Sequence, residues 1–135
     1  MYDDIASLYH LIYPNWDEAI KQQADALNDV VTTLMGSAPQ SIIDVSCGIG
    51  TQALGLAALG HTVTASDLSA TAVDRARQEA ISRGLEITFT VADMRQCAEV
   101  HGSGFDVVLS ADNSLPHLPG EDEVRLALQG FYNCL

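Results

Sequence analysis

Two hydrophobic periods alternate along this chain. From Asp17 to about Met35, Ile20, Ala24, Leu27, Val31 and Leu34 recur at the spacing of one helix face, and Gly36 is the stop. Ser37-Ala-Pro39 is a short connection. The next stretch, Ser41-Ile-Ile-Asp-Val-Ser-Cys-Gly-Ile-Gly-Thr51, opens with β-branched Ile42, Ile43 and Val45 and reads as a buried strand. It closes on Gly48 and Gly50, which allow a sharp turn. A helix-compatible run from Gln52 to Leu59 follows, with Gly60 as its C-cap. His61–Asp67 is a second strand, and Ser69 caps a helix over Ala70–Ser82 that Gly84 stops. Glu86–Asp93 is a third strand. The segment from Met94 to Gly104 is looser and more polar, with room for a short helix. Phe105–Ala111 is a fourth strand, apolar enough to be buried on both faces. Asp112–His117 is the loop after it. A last helix runs from about Glu121 to Leu135 with Val124, Leu128 and Phe131 on one face. No sequence repeat is visible, only the recurring strand-and-helix unit.

Strands alternating with helices in this way predict an α/β fold, a parallel sheet with right-handed crossovers. In such sheets a ligand sits outside the carboxyl ends of the strands. Three of those ends carry acids, Asp44, Asp67 and Asp93, and the fourth opens into Ala111-Asp112-Asn113. A single aspartate would be ordinary turn chemistry. Their shared placement at strand ends is what points to a site.

The glycine turn narrows the ligand. Glycines let a ligand lie against the backbone, and a helix N-terminus offers N–H groups to an anion. Gly48-Ile-Gly50-Thr-Gln-Ala53 fits the Gly-x-Gly-x-x-Ala spelling of dinucleotide sites. Asp44, just before the turn, argues for S-adenosylmethionine instead: a carboxylate there repels a pyrophosphate and attracts a methionine ammonium. The plain alternative is that Asp44 caps nearby backbone N–H groups. Asp67, 17 residues after Gly50, can accept from both hydroxyls of an adenosine ribose. It suits either cofactor class and disfavours NADP, whose extra phosphate wants an arginine. Asp93 can accept from the exocyclic amine of adenine, with Met94 packed on the ring. Asn113 can hold a substrate group, and His117 can contact the cofactor or act as a base. Each of these also has a plain reading as turn chemistry.

Composition changes this picture little. The 135 residues suffice for one domain. The net charge of −12 argues against a nucleic-acid backbone or an anionic membrane as partner. No apolar run is long enough to span a bilayer, and the start, Met-Tyr-Asp-Asp, has no basic region or apolar core of a leader. Three cysteines, Cys47, Cys97 and Cys134, form no Cys-x-x-Cys pair and suit reduced thiols in a cytoplasm. His10, His61 and His101 are scattered, suggest no metal site and read as surface residues. Arg75, Arg77, Arg83 and Arg95 read as solvated partners for the acidic surface. Tyr2, Tyr9, Tyr13 and Trp16 cluster in the opening segment, either docked on the core or forming a lid over a ligand.

The chain resembles a class I S-adenosylmethionine-dependent methyltransferase, and within that superfamily the small-molecule enzymes similar to glycine N-methyltransferases. The residues that carry the resemblance are Asp44-Val-Ser-Cys-Gly-Ile-Gly50, Asp67-Leu-Ser69, Ala92-Asp-Met94, the run from Phe105 to Leu118, and the opening from Tyr2 to Trp16. It implies a Rossmann-like parallel sheet of which this chain holds about four of seven strands. The implied domain is 1–135, with a lid and helix over 1–36 and a core over 37–135 that is incomplete at its C-terminus. It implies that Ser46, Gly48 and Gly50 line the methionine end of S-adenosylmethionine, with Asp44 steering its ammonium. Asp67 binds the ribose with Leu68 beside it, and Asp93 and Met94 flank the adenine. Ala111 and His117 close over the cofactor, Asn113 faces the substrate, and Tyr13 and Trp16 cover the cofactor from the lid.

Methyl transfer to a small molecule, an amine, is the activity implied; the alternatives are a silent cofactor-binding module or, less favoured, a dinucleotide-binding oxidoreductase fragment. Ser46 stands where the superfamily usually has a glycine, and Lys21 or Gln22 where an arginine often holds the methionine carboxylate. In the superfamily's strand order, Val107, Val108 and Leu109 form an open edge here. A second copy of the chain is then the expected cover, unless the chain is part of a longer protein.

Overall fold

The computed structural model of the protein describes Leu8, Leu11, residues 14–111 and residues 114–135. A parallel four-stranded sheet, ordered β3-β2-β1-β4, is its frame. β1 is Ser41–Asp44, β2 Thr62–Asp67, β3 Ile87–Val91 and β4 Val107–Leu109. The helices are α1 Trp16–Met35, α2 Thr51–Ala58, α3 Ala70–Ser82, α4 Cys97–His101 and α5 Glu121–Cys134. Two single 3₁₀ turns, Met94–Gln96 and Leu115–His117, lie in the connections.

The sheet alternates as its pleat requires. Ile42 pairs across Val63 and Val107, and these side chains pack with Leu27, Ala53, Leu56 and Val73 of α1, α2 and α3. Ile43, one residue on, faces the other way with Val108, against Cys97 of α4 and Phe131 and Cys134 of α5. The chain thus winds outward on one face from β1 to β3 and returns on the other to β4. The direction of winding reverses between β1 and β4, where an open crevice forms at the strand ends.

Three packing details depart from the sequence pattern. β4 is three residues long and half-buried, not buried on both faces, because among the described residues no strand pairs with its far edge. The inner face of α1 stops at Val31, and Leu34 is exposed. A 20-residue helix is about 30 Å long against about 12 Å for the eight residues of α2. α1 runs beside α2 from Trp16 onward, and by Asn28 it has reached His61, past the end of α2. The buried residues of α5 are Ala127, Gly130 and Cys134, with Phe131 packed beside them and Leu128 exposed. Small residues win there because the helix lies close on the 3₁₀ turn before α4: a Cβ on Gly130 would sit 3.4 Å from the Arg95 carbonyl and from Cys97 Sγ.

His61 is a joint rather than a surface residue. Its Nδ1 accepts from the Gln40 N–H at 3.0 Å, so Nε2 carries the proton and donates to Asn28 Oδ1 at 2.7 Å. Arg75 and Arg83 lie over the Trp16 ring, 5.6 and 5.5 Å from its centroid, so these two arginines also leave the solvated class.

Candidate functional site

At the β1–β4 crevice a cavity of about 240 Å³ opens. Its walls come from the turn after β1, the end of β2, the segment after β3 and the loop before α5. Of the residues singled out in the sequence, it brings together Ser46, Gly48, Asp67, Leu68, Asp93, Met94 and His117.

The turn after β1 is built around Asp67. Its Oδ2 accepts from the Gly48 N–H and its Oδ1 from the Ser69 N–H, both at 2.9 Å. The β2 carboxylate therefore holds the glycine turn in place while its own side chain lines the cavity. Gly48 has φ of +53° and open space where a Cβ would point, so the backbone is bare toward the cavity. Gly50 serves differently. It precedes α2 at φ of +99°, and a Cβ there would lie 3.1 Å from Ala76 Cβ, so its absence lets α2 and α3 meet. Gly50 does not line the cavity.

Ser46 ties the ends of β1 and β4 together. Its N–H donates to Asp44 Oδ1 at 3.2 Å, and its Oγ lies 3.3 Å from Ser110 Oγ and accepts from the Ala111 N–H at 3.3 Å. Asp44 is fully buried behind Ser46 and Ala111 lies beside it; neither lines the cavity. Asp44 thus makes the backbone-capping contact weighed for it in the sequence.

Asp93 caps the 3₁₀ turn after β3, its Oδ1 accepting from the Arg95 N–H at 2.9 Å. The Arg95 guanidinium grips the same carboxylate, Nε lying 2.9 Å from Oδ1 and 3.1 Å from Oδ2 while one Nη bonds Oδ2. Those contacts hold the Asp93 carboxyl below the usual carboxylate range, against the opposing pull of partial burial. Arg95 also reaches Glu123 of α5 at 2.8 Å and lines the cavity, so it is a site residue and not a solvated surface partner.

Trp16 is 8% exposed and does not line the cavity. It opens α1, packs on Ile49, Leu54 and Ala72, and donates Nε1–H to Thr51 Oγ1 at 3.0 Å. The structure places it behind the cavity wall, docked on the core as one of the two readings of the opening segment has it, and not over the cofactor as the resemblance implies. Gln23 of α1 accepts from Gln52 Nε2 at 2.6 Å. Through these two bonds α1 fixes the first two residues of α2, Thr51 and Gln52, both of which line the cavity. Tyr13 and Asn113 lie outside the described residues.

The sequence reading missed Arg95, Thr51, Gln52 and Cys47. Arg95 had a signal, an arginine two residues after a capping aspartate; the others show only in the packing. Burial, reinforced by the Asp44 and Asp67 carboxylates, pushes the Cys47 thiol well above its ordinary range, so this wall is not nucleophilic. Among the described residues no group of three or more His, Cys, Asp or Glu is placed to hold a metal ion, and no helix is long and apolar enough to cross a membrane.

Residues 42–135 match the model of a family described as "Methyltransferase domain". A ubiquinone biosynthesis O-methyltransferase from Nitrosococcus oceani is 29% identical over 124 residues, 87% of this chain and 51% of that protein. A glycine/sarcosine N-methyltransferase from Parasynechococcus marenigrum is 32% identical over 124 residues, 89% of this chain and 44% of that protein. Among solved structures, magnesium protoporphyrin IX methyltransferase from Synechocystis PCC 6803 with bound SAH superposes with a TM-score of 0.69 at 26% identity. The match covers 84% of this chain and 51% of that one. The chain spans about half the length of the curated relatives it matches. With the strand order, the glycine turn and the acidic strand ends in agreement, the chain belongs to the methyltransferase-domain family, within the class I S-adenosylmethionine-dependent methyltransferases.

Proposed function

We propose that the cavity holds S-adenosylmethionine and that the protein containing this chain transfers its methyl group to a small molecule, an amine. The observation that carries the reading is the convergence of Asp67, Asp93 and the bare Gly48 backbone on one cavity at the sheet's switch point. The residues present fit the group. Asp67 offers a carboxylate to a ribose diol, Asp93 one to an exocyclic amine, and Leu68, Met94 and Leu118 offer apolar surface to a purine. Gly48 and Ser46 take the methionine end. Asp44 backs Ser46 by accepting its N–H, and the Ala111 N–H donates to Ser46 Oγ.

S-adenosylmethionine supplies an activated methyl group on a cationic sulfonium, so the chain's own task is orientation more than strong base catalysis. The walls fix the cofactor's position. His117, in the loop before α5, lines the cavity and is the side chain proposed to take the proton an amine gives up. Asn113, in the same loop, is the residue proposed to hold the acceptor, with Tyr13 from the N-terminal segment covering the cofactor. Because the relatives include both an O- and an N-methyltransferase, hydroxyl acceptors belong in the test.

The test is transfer of labelled methyl from S-adenosylmethionine to a panel of amines and phenols. Label in an amine product, lost in Asp67→Ala, is expected. Label in phenols alone would reassign the acceptor. Cofactor binding without transfer to any acceptor would make this chain a binding module.

A further inference from the structure

We infer that Arg95 is a positioning residue that aims the Asp93 carboxylate at the exocyclic amine of the bound nucleoside, and so sets the preference for adenine over a 6-oxo purine. The inference rests on the proposed reading of the cavity and deepens it.

A carboxylate on a strand-end aspartate turns easily, since its terminal torsion is broad and two-fold. Asp93 is held against that freedom by one neighbour. Arg95 contributes its backbone N–H and Nε–H to Oδ1 and an Nη–H to Oδ2. Nε–H also leans toward Oδ2 at 3.1 Å. The planar guanidinium fork fixes the plane of the carboxylate, which a lysine ammonium cannot do. Arg95 is itself fixed from the other side, because its remaining arm bonds Glu123 in the first turn of α5 at 2.8 Å. That turn directly follows the loop that brings Ser114, His117 and Leu118 to the cavity. One guanidinium therefore sets the orientation of Asp93 and ties the two walls on either side of it.

Arg95 leaves Asp93 able to accept more. A carboxylate has about four acceptor positions. Oδ1 uses two, for the backbone N–H and Nε–H, whereas Oδ2 uses one fully and shares Nε–H weakly. A ligand amine can bond Oδ2 while the fork stays closed. A purine with a carbonyl at that position presents lone pairs to the same oxygen and is repelled.

The experiment measures dissociation constants of S-adenosylhomocysteine and S-inosylhomocysteine for the 135-residue chain and its Arg95→Met and Arg95→Lys variants, by calorimetry. The preference is read as a ratio within one sample, which a partly unfolded fraction does not change, and thermal melts of each variant run alongside. The wild-type chain is expected to prefer the adenosyl ligand by roughly 10- to 100-fold. Arg95→Met is expected to bring the ratio within about threefold of unity, and Arg95→Lys to fall between. A purely structural role for Arg95 would weaken both ligands by the same factor and leave the ratio unchanged, which overturns the inference. So would a ratio that grows in the variants, since Arg95 would then be competing with the amine. A wild-type chain that binds both ligands equally would overturn it while leaving the cofactor reading intact. A folded wild-type chain that binds neither would remove the cofactor reading and the inference with it.

Discussion

Gly55→Ala separates local helix propensity from tertiary fit, because the two have opposite signs at this position. Gly55 lies inside α2, where replacing glycine by alanine gains about 1 kcal/mol of helix propensity. A Cβ at 55, however, would sit 2.5 Å from Ala24 Cβ and 2.7 Å from the Ile20 carbonyl oxygen, both on α1. Neither neighbour is the end of a flexible side chain, so the two helices must separate. Overpacking of this kind costs about 1–3 kcal/mol, and contacts to backbone belong at the upper end. The net expectation is a loss of about 1–2 kcal/mol, which for a domain of this size lowers the melting temperature by roughly 5 °C. Urea denaturation of the wild type and the variant gives the difference directly. Ala24→Gly removes the Cβ contact but not the Ile20 carbonyl contact, and itself costs α1 about 1 kcal/mol of propensity, so the double variant should be less destabilised than the sum of the two single changes. A Gly55→Ala chain more stable than the wild type by about 1 kcal/mol would refute the reasoning, since propensity alone would then govern the site.

Trp16→Phe keeps most of the ring packing but leaves the buried Thr51 hydroxyl without its indole donor, and should cost about 1–2 kcal/mol in the same denaturation assay. Asp93 has a lowered folded-state pKa, so its contribution is present above the unfolded carboxylate value of about 3.9 and is lost as pH falls through the folded value. Asp93→Asn should therefore destabilise the chain at pH 7, and its difference from the wild type should shrink on titration toward pH 2; a pH-independent difference would contradict the pairing. Burial raises the Cys47 thiol well above its ordinary range and pushes Cys97 up to about 12, so iodoacetamide at pH 8 should label both at least roughly tenfold more slowly in the native chain than in denaturant, read by mass spectrometry.

The order of elements was legible because each carries its own period and its own punctuation. Ser69 at the start of α3, with Ile42 and Ile43 in β1, are local signals that the fold obeys. What escaped the sequence depends on contact between distant segments. Leu128 has the right spacing for an inner face, yet the close approach of α5 to Arg95 and Cys97 gives that face to Ala127 and Gly130. Gly55 looks like a weak point in a helix until Ala24 and Ile20 are set against it. The candidate site divides in the same way. Asp67, Asp93 and Gly48 announce themselves at strand ends and in a turn, and the structure gathers them on one cavity. Trp16 shares the opening segment with three tyrosines, but its own ring turns inward to Thr51. Arg95 carries a full charge, which made the surface its default reading until its partners were known to be Asp93 and Glu123.

The central claim is that the cavity at the β1–β4 switch point is an adenosyl site. Calorimetric titration of the 135-residue chain with S-adenosylhomocysteine, with NAD and with the Asp67→Asn variant tests it most directly. The account predicts one site per chain for S-adenosylhomocysteine, no detectable binding of NAD, and affinity for the adenosyl ligand reduced at least roughly tenfold by Asp67→Asn. Tighter binding of NAD than of S-adenosylhomocysteine, or adenosyl binding that Asp67→Asn leaves unchanged, would contradict it.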